Sequence, residues 1–126
     1  MFKGITLRTF PPELNWKDCI SLASSTGFDS VEINFDGRLD LDTSDSLLLE
    51  LKQFSESRNI VIDSVYSRKQ WATPISSVNP DVRREGEAVL ARLLTIAELL
   101  EARVILVIPG SVDNSCISGE NPEITP

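Results

Sequence analysis

Apolar residues fall along this chain in two alternating rhythms. Short apolar runs at residues 2–9, 30–35, 60–65 and 104–108 predict β-strands, and the stretches between them repeat their apolar positions every three or four residues, as amphipathic helices do. The first helical stretch carries Trp16, Cys19, Ile20 and Ala23, with Asn15 placed as its N-cap and Asp18 three residues on. Gly27 follows in position to turn the chain left-handed out of the helix. In the second strand Val31, Ile33 and Phe35 alternate with Glu32 and Asn34, so one face is apolar and the other polar. A second helix opens at Asp42-Thr43-Ser44-Asp45, any of whose side chains can cap it, and shows Leu47, Leu51 and Phe54 on one face before ending near Arg58-Asn59. The third opens at Asn79-Pro80 and holds a stripe of Val82, Gly86, Val89, Leu93, Ile96 and Leu100. The fourth strand is apolar without alternation, which predicts burial on both faces.

Strand, helix and strand in regular succession is the pattern of parallel βα units, in which neighbouring strands follow sequence order and the crossovers are right-handed. The expected fold class is α/β: parallel βα repeats amounting to about four strands and three helices, the N-terminal half of a TIM (βα)8 barrel. A complete barrel takes roughly 250 residues, against 126 here. Residues 1–113 are expected to form the half barrel, with 114–126, polar and aperiodic, as a loop or frayed tail leading to a missing second half. In such a barrel, polar side chains near the carboxy ends of the strands point into the mouth, where Glu32 and Asn34 fit. The longest internal connection, 66–78, carries Tyr66, Trp71, Arg68, Lys69 and Pro74; its length predicts a lid or binding loop, the alternative being that Trp71 only covers the end of the barrel.

Composition narrows the chemistry. With 41% hydrophobic and 25% charged residues the chain is that of a globular protein able to bury a core. A net charge of −7, with basic residues scattered among 19 acids, argues against a nucleic-acid partner. The small basic pairs Arg68-Lys69 and Arg83-Arg84 are candidates for an anionic small molecule or for solvated surface. No apolar run is long enough to span a membrane and no leader precedes the first strand, so a cytoplasmic address is expected. Cys19 and Cys116 have no metal-type or redox-type spacing and read as reduced thiols. The chain contains no histidine, which removes the commonest general base and every Ser-His or Cys-His nucleophile pair.

Four stretches in order carry a resemblance: the first strand leading to Phe10-Pro11-Pro12, then Gly27-Phe28-Asp29-Ser30-Val31-Glu32-Ile33, then Trp71-Ala72-Thr73-Pro74 with Asn79-Pro80-Asp81-Val82-Arg83, and last Val107-Ile108-Pro109-Gly110. Together they resemble the sugar phosphate isomerases and epimerases with the xylose-isomerase-like barrel. The resemblance implies a divalent metal (Mg, Mn, Zn or Co) in the full-length family, held by two Glu, one Asp and one His from later strands, and glutamates that move a proton between adjacent carbons. It places no catalytic residue and no metal ligand within this chain, which alone is expected to bind no metal and to be inactive. The implied partner is a small carbohydrate in the full-length parent, with self-association possible through uncovered sheet edges.

The same resemblance assigns substrate-binding positions. Glu32 matches the family's strand-two glutamate and is expected to hydrogen-bond a sugar hydroxyl or a metal ligand, the alternative being a carboxylate satisfied by neighbouring strands. Asn34 lies one step further on the same face. Arg8 stands where relatives often carry an aromatic, so its guanidinium is expected to clamp a phosphate or carboxylate instead. Trp71 is expected to pack on a sugar ring. A nuclease branch of the superfamily takes metal-binding histidines from the ends of strands three and four, where this chain has Val65-Tyr66 and Pro109-Gly110. The other readings are a dehydratase of the same barrel superfamily and a non-catalytic half-barrel that serves as a binding or assembly module.

Overall fold

A computed structural model of the protein describes residues 1–110; the expected tail at 114–126 and Cys116 lie outside the described residues. Strands β1 (Gly4–Thr6), β2 (Ser30–Asn34), β3 (Val61–Tyr66) and β4 (Val104–Ile105) form one sheet in the order β1-β2-β3-β4, and every neighbouring pair is parallel. Helices α1 (Trp16–Ser25), α2 (Asp45–Ser57), α3 (Lys69–Ala72) and α4 (Pro80–Leu100) connect them. The architecture is α/β and matches a partial TIM barrel.

The helices start where side chains replace missing backbone partners. Asn15 accepts from the amide of Asp18 at 2.9 Å, and Asn79 from that of Asp81 at 2.9 Å. Of the four possible caps before α2, Ser44 is the one used, accepting from the Leu47 amide. Gly27 and Asn59 carry the chain out of α1 and α2 with φ of 89° and 56°.

The core lies between the helices and one face of the sheet. Val31, Ile33, Ile62 and Val65 meet Cys19 and Ile20 from α1, Leu48 and Leu51 from α2, and Leu93 and Ile96 from α4, all 5% exposed or less. Each of the Val, Ile and Leu side chains among them stabilises the fold by about 1.5–3 kcal/mol. Burial also pushes the Cys19 thiol above its ordinary value, holding it neutral and unreactive. In α2 the buried line is Leu48, Leu51 and Ser55, while Leu47 and Phe54 flank it, half-buried; Phe54 meets Trp16 edge-on at 5.6 Å.

Three expectations need correction. Strand one ends at Thr6 rather than at residue 9, because Leu7–Thr9 turn into a 3-10 helix closed by the Phe10 amide on the Leu7 carbonyl. A short helix is added to the three expected: the 66–78 connection contains α3, and its Ser67, Gln70, Thr73 and Ser77 are buried. Strand four is two residues long, and Val104, Leu106 and Val107 are 53%, 45% and 42% exposed instead of buried on both faces. Its ladder stops because a side chain takes over: Gln70, 2% exposed, donates to the Leu106 carbonyl at 2.9 Å and accepts from the Ile108 amide at 2.8 Å.

Candidate ligand-binding cleft

On the sheet face away from the core, the carboxy ends of the strands border a cleft of about 410 Å3, lined by Thr6, Arg8, Glu32, Asn34, Tyr66 and Leu106 among others. Thr6, Asn34 and Tyr66 are the last residues of β1, β2 and β3. A smaller hollow of about 250 Å3 shares Thr6 and Glu32 and extends toward the strand starts past Ser30, Asp63 and Ser64.

A bulge decides which β3 side chains reach this face. The register pairs Val31 with Ile62 but Glu32 with Ser64, leaving Asp63 as an extra residue. Strict alternation from Ile62 would turn Ser64 to the core and Val65 to the cleft. The extra residue reverses that phase, so Val65 is buried at 0% exposure, Ser64 stands opposite Glu32 and Tyr66 opposite Asn34.

The polar face is tied into one network. Glu32 accepts from the Ser64 hydroxyl at 3.1 Å on one oxygen and from the Asn34 side-chain amide at 3.4 Å on the other. Asn34, 6% exposed, accepts on Oδ1 from the Thr6 hydroxyl at 2.6 Å and from the Arg8 amide at 3.1 Å. The Arg8 amide identifies this atom as the oxygen, since an N–H can only donate. Asn34 thus occupies the donor that would continue the β1 ladder, and the chain turns there, carrying Arg8 outward at the cleft. Each Glu32 oxygen still has lone-pair capacity for a ligand hydroxyl.

The loops around the mouth are held by charged side chains. Arg38 donates to the carbonyls of Leu7, Phe10, Pro11 and Leu14, fastening the segment that bears Arg8. Asp36 accepts from the Arg68 amide at 2.8 Å and the Ser67 hydroxyl at 3.2 Å, fastening the end of β3. Among the described residues the Arg8 guanidinium forms no ion pair. Arg83 and Arg84 are engaged at the start of α4, Arg83 on the Ser77 and Val78 carbonyls and Arg84 on Asp81.

Of the residues singled out from sequence, Glu32, Asn34 and Arg8 come together on the cleft. Trp71, 36% exposed on α3, is not part of its lining and reaches it through Tyr66, whose hydroxyl accepts from the indole N–H at 3.2 Å. Sequence reasoning missed Tyr66 and Thr6 in the cleft and Ser64 in the hollow beside it. Among the described residues no three His, Cys, Asp or Glu side chains converge on a point, so these residues do not fit a divalent-metal centre.

No protein-family model and no curated protein matches the chain. Solved structures do. A D-psicose 3-epimerase determined in the presence of D-fructose aligns with a TM-score of 0.69 and 20% identity, covering 83% of this chain and 36% of that one. This chain has the xylose-isomerase-like sugar isomerase and epimerase fold. D-psicose 3-epimerase from Clostridium cellulolyticum H10 with D-tagatose aligns over the same shares at 25% identity and a TM-score of 0.69. A xylose isomerase domain-containing protein from Salmonella typhimurium LT2 follows at 19% identity and a TM-score of 0.56, with 82% of this chain and 35% of that one covered. The chain therefore spans little more than a third of the length of the structures whose xylose-isomerase-like fold it shares. No helix among its described residues is long and apolar enough to cross a membrane.

Proposed function

We propose that this chain is the N-terminal half barrel, residues 1–113, of a metal-dependent sugar or sugar phosphate isomerase or epimerase of the cytoplasm, which moves a proton between adjacent carbons of a ketose or polyol. The share of the site assigned to this half is binding and orientation. Glu32 accepts from a sugar hydroxyl, Arg8 donates to an oxygen or anionic group of the substrate, and Asn34 holds both in place, with Trp71 at the edge. The divalent metal and its ligands belong to strands beyond β4. The observation that carries the reading is the polar cleft at the carboxy ends of β1 to β3, the rim where barrel enzymes keep their sites, on a chain aligned with sugar epimerases over 83% of its length.

The test is steady-state kinetics on the purified product of the native gene, with D-fructose, D-tagatose and D-psicose in the presence of Mg2+, Mn2+, Co2+ or Zn2+. Glu32→Gln is expected to lower ketose turnover or binding about tenfold, roughly 1.4 kcal/mol, with the circular dichroism spectrum unchanged. A gene product that neither binds nor converts any ketose would overturn the reading. Kinetics of the variant equal to those of the parent would remove Glu32 from the site.

A further inference from the structure

Sequence spacing puts Tyr66 at the entry to a loop, yet in the fold it ends β3, 6% exposed, and lines the cleft beside its register partner Asn34. The indole N–H of Trp71 donates to its hydroxyl oxygen, Nε1 to Oη 3.2 Å. An indole N–H is a donor only, so the phenol oxygen must be the acceptor and its own proton has to go elsewhere. Among the described residues no group accepts that proton. On the same face Asn34 Oδ1 takes two donors and the Glu32 oxygens take one each, from Ser64 and Asn34, and among the described residues neither side chain accepts from Tyr66. Tyr66 lines the cleft, and its hydroxyl, which accepts from Trp71, keeps a proton that an oxygen seated in the cleft can accept.

We propose that Tyr66 is a ligand-binding residue whose O–H donates to an acceptor oxygen of a sugar in the cleft, and that Trp71 is a positioning residue acting through it. The proposal rests on the sugar reading above and changes one part of it. Trp71 serves by fixing the Tyr66 hydroxyl rather than by stacking on a sugar ring. Glu32 contributes acceptor capacity while Tyr66 and Arg8 contribute donors, so a hydroxyl and a neighbouring carbonyl of one sugar can be met together.

The experiment is calorimetric titration of D-fructose and D-psicose into the native gene product and its Tyr66→Phe, Trp71→Phe and doubly substituted variants, with near-ultraviolet circular dichroism as the check on folding. Tyr66→Phe keeps the ring, removes one oxygen, and is expected to weaken binding roughly five- to tenfold. Trp71→Phe is expected to weaken it by a smaller factor, and the double variant to bind no more weakly than Tyr66→Phe alone, because Trp71 then has nothing left to position. Affinity of Tyr66→Phe equal to that of the parent overturns the proposal. Losses that multiply in the double variant overturn the positioning role of Trp71. Should Trp71→Phe fail to fold, Tyr66→Phe decides alone. A parent protein that binds neither sugar fails the sugar reading itself, and the proposal falls with it, whereas a parent that binds while Tyr66→Phe binds equally leaves that reading intact and fails only the proposal.

Discussion

Arg38 is the residue on which the mouth of the cleft most depends, though it carries none of the cleft's candidate chemistry. Its guanidinium meets four backbone carbonyls between Leu7 and Leu14 and so converts a proline-containing loop into a fixed support for Arg8. Charged donors to backbone oxygens each contribute roughly 1.5–3 kcal/mol, and losing them together loosens the loop before it unfolds the core. Arg38→Ala is expected to cost the Phe10 and Leu14 amides, which close turns within this loop, about 2 kcal/mol of protection, or about thirtyfold faster hydrogen exchange. Arg38→Lys should not restore it, since one ammonium cannot span the fork's contacts. Unchanged exchange at those two amides would show that the loop holds without Arg38.

At the scale of elements, Gly86 sets how closely α4 approaches the segment after α3. A Cβ there would collide with the Thr73 carbonyl and press on Ile75. Helix propensity alone favours Ala over Gly by about 1 kcal/mol, whereas overpacking costs about 1–3 kcal/mol, so the sign of the effect separates the two. Gly86→Ala is expected to lower the urea midpoint; a raised midpoint would mean that the contact yields freely. Much of this scale was legible from the sequence. The helix starts at Asn15 and Asn79 follow from local cap chemistry, and Glu32 and Asn34 follow from period-two alternation in a strand that keeps its register. What escaped depends on partners far along the chain. The bulge at Asp63 reverses the phase of β3 and so concealed Tyr66 as a cleft residue and Ser64 as the partner of Glu32. The end of β4 is set by Gln70, whose amide replaces ladder partners across 36 and 38 residues of sequence. Neither effect leaves a local pattern of apolar and polar positions.

Among the described residues the sheet ends in β1 on one side and β4 on the other, and beside β4 the exposed Val104, Leu106 and Val107 make an apolar flank. Strand edges with exposed apolar neighbours pair readily with another chain. The 126-residue chain is therefore expected to sediment as dimers or larger species at micromolar concentration; a compact monomer with a cooperative thermal transition would contradict this. The central claim is that the carboxy ends of these strands bind a sugar, and a crystal structure of the native gene product with D-psicose tests it most directly. The account predicts the sugar in the cleft, with its oxygens at hydrogen-bond distance, about 3 Å, from Glu32, Arg8 and Tyr66. A sugar seated away from these residues, on the opposite rim of the sheet or between the helices, would contradict it.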